Sequence, residues 1–246
     1  MGICVLVYGK SGSGKSRSLK NFGHDEIFLV NCQGKPLPFR GNGYKYTYIP
    51  PLADDDKGVS SVQKIIDLLK RMPTEIAVID DCGYLMTQLF MAKHKVKTGS
   101  AQFDLYNDIA DMLWTLINTV TRDLPPQKIV YLMMHETTSD YGETKLRTIG
   151  NLLDAKVCIE GMCSICIRSM SDGKKWTFST QSSGSDISKS PEGMLPATME
   201  NDLKAVDTAI RRYYGWIEEE PEPEEEAKET KEEAKETEEE EEDIFN

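Results

Sequence analysis

The sequence predicts an α/β fold: a mostly parallel central sheet flanked by helices, ending in a β-hairpin and a helix, with an acidic tail after it. Three observations predict this. Short apolar, β-branched runs recur at residues 3–8 (ICVLVY), 26–31 (EIFLVN), 75–81 (EIAVIDD) and 128–134 (KIVYLMM), the pattern of strands buried on both faces. Stretches with helical apolar spacing lie among them, at residues 59–72 and 102–122. The first run enters a Gly/Ser-rich loop and a helix-compatible segment before the second run, the start of a βαβ unit.

Residues 3–8 form the first strand, residues 15–21 the first helix and residues 26–31 the second strand. The stretch 34–43 (GKPLPFRGNG) is full of turn residues. Residues 44–49 (YKYTYI) alternate well enough for a strand, and Pro50-Pro51 with Asp54, Asp55 and Asp56 breaks the chain. Val62, Ile65, Ile66, Leu68 and Leu69 recur at helical spacing. Residues 84–92 look helical, and residues 93–100 (KHKVKTGS) form a short basic loop. A long helix follows, marked by Leu105, Ile109, Leu113, Leu116 and Val120 and ended by Pro125-Pro126. Past the strand 128–134, residues 137–148 form a polar loop. Residues 162–170 and 175–181 read as two strands joined by Ser171-Asp172-Gly173, a hairpin signal. Residues 203–214 form a last amphipathic helix. One domain, residues 1–217, therefore precedes a tail, residues 218–246.

The octapeptide GKSGSGKS at residues 9–16 fits G-x-x-x-x-G-K-[ST], the phosphate-binding loop. Its glycines let the backbone curl so that N–H groups point at an anion. Gly9, Lys10, Ser11, Gly12, Ser13, Gly14, Lys15, Ser16 and the adjoining Arg17 are the candidate nucleotide contacts. Lys15 would reach the β- and γ-phosphates, Ser16 would sit on Mg²⁺, and the helix beginning near Gly14 would add its positive end. A plain Gly/Ser turn leaves the Lys-Ser ending unexplained. The run IAVIDD at residues 76–81 is a Walker B pattern: a strand beside the phosphate loop delivers Asp80 to Mg²⁺ through water, and Asp81 is a candidate base. The strand 128–134 ends at His135-Glu136. His135 is a candidate nucleotide sensor, and Glu136 is the rival base.

The 246-residue chain carries a formal net charge of −12, but the charge is uneven. Residues 218–246 hold 17 acidic residues and three lysines, so residues 1–217 carry 26 basic and 24 acidic side chains, a net of +2. A near-neutral body leaves room for a local basic patch. The tail repeats AKET at 227–230 and 234–237 without apolar heptad positions, which excludes a coiled coil and predicts disorder or a fraying charged helix. Its tip carries Ile244-Phe245. The six cysteines (Cys4, Cys32, Cys82, Cys158, Cys163, Cys166) lie mostly in apolar stretches, as buried free thiols of a reducing cytosol do. Cys163 and Cys166 fall in one predicted strand, where alternation puts them on opposite faces and argues against a shared metal or redox site. No apolar run approaches the roughly 18 residues of a membrane span, and the N-terminus lacks a signal-peptide pattern. A cytoplasmic protein is expected.

The order of parts resembles the RecA-type ATPase core. More narrowly, the chain resembles small phage-encoded RecA-like ATP-binding proteins of recombination modules, which include single-strand annealing proteins. The residues that carry this are GKSGSGKSRSLKNF (9–22), GKPLPFRG (34–41), VIDDCGYL (78–85), YLMMHE (131–136), residues 148–161, SKSPEGM (188–194) and NDLKAVD (201–207). The resemblance implies a Mg²⁺-dependent ATPase that forms a ring or filament of identical subunits. It implies action on single-stranded DNA in phage recombination or replication, in the bacterial host cytoplasm. A single-stranded-DNA-binding protein or another replication or recombination protein would be the partner.

The resemblance also implies a cation that reaches the neighbouring subunit's γ-phosphate. RecA-like hexameric helicases carry K-x-R-x-G after the hairpin; here Lys189 matches the lysine, Pro191 replaces the arginine and Gly193 keeps the glycine. Lys145 and Arg147 are the alternatives. Two DNA-binding loops are implied, 93–100 with Lys93, Lys95 and Lys97, and 137–148 with Tyr141, Lys145 and Arg147. The family's second-strand Glu is missing, since that strand ends Asn31-Cys32-Gln33, which fits weak hydrolysis. An AAA-type helicase loader acting on a protein, and a nucleotide-dependent binding module with little turnover, are the alternative readings. The tail resembles those of single-stranded-DNA-binding proteins. It would mimic DNA on the basic loops, dock a partner through its tip, or only solubilise.

Overall fold

A computed structural model describes residues 1–52, 60–95, 97, 99 and 101–218. Asp54, Asp55 and Asp56, and the tail from residue 219 with Ile244-Phe245, lie outside the described residues.

The architecture is mixed α/β, with a central, mostly parallel sheet flanked by helices. Strand β1 (Ile3–Gly9) lies deep in the sheet, followed by β2 (Ile27–Asn31), β3 (Tyr46–Tyr48), β4 (Ile76–Asp80), β5 (Ile129–Thr138), β6 (Thr144–Leu146), β7 (Ile165–Ser171), β8 (Trp176–Ser179) and β9 (Thr198–Glu200). The spatial order is β3-β2-β4-β5-β1-β7-β8-β9, with β6 paired to β5. The six from β3 to β7 in that order run parallel; β8, β9 and β6 pair antiparallel. Strand β4 is therefore not beside the strand that leads into the Gly-rich loop. Strand β5 stands between them.

Alternation along each strand feeds two cores. Cys4, Leu6 and Tyr8 of β1 and Val130, Leu132 and Met134 of β5 pack with α1 (Ser61–Arg71), α2 (Gly83–Lys93), α3 (Ala101–Asn118) and α4 (Asn151–Asp154). Val5 and Val7, with Ile129, Tyr131 and Met133, pack with α5 (Leu203–Tyr213) and Leu19. Ser60 caps α1, accepting from the Gln63 N–H at 3.2 Å. Helix α5 is capped by Asp202, whose carboxylate also accepts from Asn21 at 2.6 Å. Among the described residues, no helix is long and apolar enough to cross a membrane.

Four local expectations change. The predicted first helix is a 3-10 helix, Ser16–Asn21. Ser18 N–H bonds back to both Gly14 and Lys15 carbonyls, at 3.0 and 3.2 Å, and the chain turns away at Phe22 and Gly23. So short an element carries little dipole. The polar loop 137–148 is a β-hairpin: β5 runs on to Thr138 and pairs with β6, closed by a Ser139 N–H to Glu143 carbonyl bond at 2.8 Å. Strand β7 starts after Cys163, so strand alternation does not separate the two cysteines. Both lie in the same core, with Cys163 Sγ 3.6 Å from Cys4 Sγ. Strand β9, an edge strand of three residues, was not predicted.

Candidate functional site

In a parallel sheet, ligands bind beyond the carboxyl ends of the strands, where the order reverses. Here β1 leads to β2 on one side, while β5 passes over β1 to β7 on the other. The loop 9–16 folds over that point. Gly12 and Gly14 take φ of +78° and +103°, which glycine adopts without strain. A Cβ on Gly14 would also come within 2.6 Å of Trp176 Cδ1. The loop is tied down from the β7–β8 side. Ser169 Oγ donates to the Ser13 carbonyl at 2.8 Å, and Trp176 Nε1 donates to the Gly12 carbonyl at 3.4 Å. Ser13 Oγ is buried without a hydrogen-bond partner.

Lys15 is buried. Its ammonium donates to the Gly9 and Lys10 carbonyls at 2.9 Å each and lies 3.5 Å from His135 Nδ1. Burial lowers its pKa, opposed by the nearby carboxylates of Asp81, Asp80 and Glu136. The Ser16 hydroxyl donates to Asp80 Oδ1 at 3.0 Å. Asp80 is buried, and burial raises its pKa against the opposing Ser16 hydrogen bond. Asp81 sits in the left-handed region, φ +56°. That turns its carboxylate to His135 Nε2, 3.3 Å from Oδ1, and to Lys35 Nζ, 2.9 Å from Oδ2. The hydrogen bond from His135, with help from Lys35 and against desolvation, lowers the Asp81 pKa to about 2. An ammonium cannot accept a hydrogen bond, so Nδ1 of His135 faces Lys15 as the acceptor and Nε2 carries the proton toward Asp81.

No protein-family model matches the chain, and no curated protein matches it.

These groups line a pocket of about 630 Å³. Lys10, Lys15, Arg17, Lys35 and Arg147 supply positive charge, and Asp80, Asp81 and Glu136 negative. Arg17 lies 4.3 Å above the centre of the Trp176 ring. Of the predicted contacts, Lys10, Ser11, Gly12, Gly14, Lys15, Ser16, Arg17, Asp80, Asp81, His135, Glu136 and Arg147 border the pocket, while Gly9 and Ser13 form the loop's underside. Glu136 is held by Arg168, its two oxygens accepting from Nε and Nη2 at 2.8 Å each. Lys189 does not border its own chain's pocket; its backbone makes a β-bridge with Cys166. Lys145 is exposed on β6. Lys93 borders a separate groove with Asp108 and Asp111, Lys97 pairs with Asp108 at 2.6 Å, and Lys95 is exposed.

Sequence reasoning missed Lys35, Tyr84, Trp176 and Arg168. For Lys35 a signal existed: in a parallel sheet the loop after β2 opens at the same edge as Asp80. Trp176 and Arg168 had none, because their roles depend on which strands become neighbours.

Proposed function

We propose that the chain is a Mg²⁺-dependent RecA-like P-loop ATPase that oligomerises and acts on single-stranded DNA in phage recombination or replication. The contact between Ser16 and Asp80, beside the buried Lys15 ammonium, carries this reading. A hydroxyl and a carboxylate are hard oxygen ligands of the kind Mg²⁺ takes, alongside water and substrate phosphates. Among the described residues, no group of three or more His, Cys, Asp or Glu side chains is placed to hold a metal ion. The orphaned Ser13 hydroxyl and the left-handed glycines fit a cradle for phosphate oxygens.

When bound, Mg²⁺ would neutralise charge on the β- and γ-phosphate oxygens. The chain's own residues supply the rest. Loop N–H groups and Lys15 orient the phosphates, Lys15 exchanging its two carbonyl acceptors for them. His135 holds Asp81 at the strand ends. The Arg17–Trp176 stack offers a flat cationic and aromatic surface to a base. Strand β5 runs without interruption from His135 into the hairpin whose turn holds Tyr141 and whose return strand holds Lys145, while Arg147 N–H comes back to the His135 carbonyl at 2.8 Å, so nucleotide at the His135 end would bias DNA contact along the hairpin.

One observation favours a binding module with little turnover. Glu136 is fully engaged by Arg168, and Asp81 is a weak base between two hydrogen-bond donors. The deciding measurement is ATP hydrolysis with and without single-stranded DNA. Turnover above background, lost in Lys15→Ala and raised by DNA, supports the ATPase. Lys15-dependent ATP binding without turnover supports the module. Wild-type turnover in Lys15→Ala rejects the site.

A further inference from the structure

We propose that Lys35 supplies, within the same chain, the cation that meets the terminal phosphate of the nucleotide. This rests on the nucleotide reading above and adds a ligand contact to it.

Local hydrogen bonds and backbone geometry set where Lys35 sits. The turn after β2 is closed by a Gly34 N–H to Asn31 carbonyl bond at 3.2 Å, with Gly34 left-handed at φ +62°. Asn31 Nδ2 then donates to the Lys35 carbonyl at 2.7 Å. Pro36 restricts the backbone of Lys35 to extended conformations. The side chain is thereby sent over the strand ends. Its ammonium lies 2.9 Å from Asp81 Oδ2 and 5.2 Å from the centre of the Tyr84 ring.

Contacts then run unbroken to the phosphate-loop lysine. Asp81 Oδ1 meets His135 Nε2 at 3.3 Å, and His135 Nδ1 meets Lys15 Nζ at 3.5 Å. Two ammonium groups thus bracket the Asp81–His135 pair. Such a pair of cations suits a ligand with several negative charges between them. The pocket's other cations are disposed differently. Arg17 is stacked on Trp176, and Arg168, outside the pocket lining, is bound to Glu136. Lys10 and Arg147 border the pocket, with no side-chain hydrogen bond or ion pair aiming them among the described residues. Lys189 does not border it.

Lys35 is also free to change partner. Its side chain is 57% exposed, and an ion pair so open to water is weakly held. A triphosphate offers its ammonium more charge and more acceptors than one carboxylate oxygen does. In hydrolysis, a water oxygen bonds to the γ-phosphorus as the bond to the β,γ-bridging oxygen breaks. The electron pair of that bond leaves with ADP, and the water's proton passes to phosphate or solvent. Lys35 stays an ammonium throughout and offsets the charge on the terminal phosphate oxygens.

The test is calorimetric binding of ADP and of a non-hydrolysable ATP analogue, each with Mg²⁺, to full-length wild type, Lys35→Ala, Lys35→Arg and Lys15→Ala. Lys35→Ala is expected to bind the triphosphate analogue about tenfold or more weakly while ADP affinity changes less than threefold, and Lys35→Arg to keep most of the preference. Equal losses for both ligands, or none, would overturn the proposal while leaving the nucleotide site intact. Recovery of analogue affinity on mixing Lys35→Ala with Lys15→Ala would overturn the same-chain assignment. Absence of Lys15-dependent binding in wild type would overturn the nucleotide reading and this proposal together.

Discussion

The Ser16 hydroxyl donates to the Asp80 carboxylate across 3.0 Å, although 64 positions separate them in the chain. The bond joins the loop after β1 to the end of β4 over the intervening β5. It leaves Asp80 buried with no cation on its carboxylate in the described contacts. Burial raises the Asp80 pKa above that of the unfolded chain. The sign follows: the fold favours the protonated form, so Asp80 costs stability once the pH has risen through both pKa values. At pH 7 without divalent cation, Asp80→Asn is expected to stabilise the protein by about 1 kcal/mol, a rise of roughly 2–4 °C in Tm. Mg²⁺ with ATP should reverse the order, raising the wild-type Tm and leaving the variant's unchanged. Scanning calorimetry with and without Mg-ATP reads both effects.

The parts legible in the sequence were those written contiguously. The loop 9–16, the Asp80-Asp81 pair and His135-Glu136 each follow a short apolar strand that ends abruptly, so both position and edge of the sheet could be read. What depended on strand neighbours could not. Trp176 reaches Gly12 because β8 pairs with the end of β7, where Ser171 faces Trp176. Arg168 meets Glu136 because β7 and β5 flank β1 on opposite sides. From sequence the β5–β6 hairpin reads as a loop, because its outer half is polar and Tyr141, at its turn, is 94% exposed. The hairpin's buried positions are Glu136, Thr144 and Leu146, two of them polar, so no apolar alternation marks the buried face.

Asp81 makes a pH-dependent contribution of the opposite sign. Its folded pKa of about 2 lies below the ordinary 3.8. The stability it adds is complete above pH 3.8 and lost as the pH falls through 2. Asn tolerates the left-handed backbone here and abolishes the charge. Asp81→Asn should therefore cost about 1 kcal/mol at pH 7, allowing for solvent screening, and almost nothing at pH 2. Chemical denaturation at the two pH values measures the difference. An undiminished gap at pH 2 would rule the carboxylate out as its source.

Trp176 is expected to report on the base. It lines the pocket and carries Arg17 on its ring face. Stacking on an aromatic is worth about 1–3 kcal/mol per base and tolerates any base. Trp176→Ala should weaken ATP and GTP alike, by roughly tenfold or more, and leave tripolyphosphate affinity within threefold. Tryptophan fluorescence of the wild type, titrated with each ligand, should change with the two nucleotides more than with tripolyphosphate. Equal losses for all three ligands would reject the base platform.

Helix α5 is fastened to the sheet through one buried carboxylate. Asp207 accepts from the Tyr131 hydroxyl at 2.9 Å and from Arg211 Nε at 2.6 Å, and Arg211 Nη1 reaches Glu75 at 2.7 Å. Burial raises the Asp207 pKa, and Arg211 is the main opposing influence. Arg211→Ala would strand a buried carboxylate and should cost about 3–5 kcal/mol. Tyr131→Phe removes one of its two donors and should cost about 1–3 kcal/mol. The double variant Asp207→Leu with Arg211→Met should be less destabilised than Arg211→Ala alone, since replacing both ions leaves neither unpaired. Urea denaturation midpoints give the order directly.

The two candidate DNA segments should separate by mutation, because their charges are differently engaged. Lys97 is paired with Asp108, and Lys93 shares a groove with Asp108 and Asp111. Lys145 and Arg147 are exposed, Lys145 on β6 and Arg147 at the pocket rim, and Tyr141 is exposed at the hairpin turn. A cation already neutralised by a carboxylate releases fewer counterions when it meets a phosphate. Lys145→Ala with Arg147→Ala should weaken oligonucleotide binding and lower the slope of log affinity against log salt by about 1–2. Tyr141→Ala should weaken binding without changing that slope, since stacking carries no counterion term. Lys97→Ala should leave both affinity and slope nearly as they are. A larger loss from Lys97→Ala than from the hairpin variants would move the DNA contact to the segment between α2 and α3.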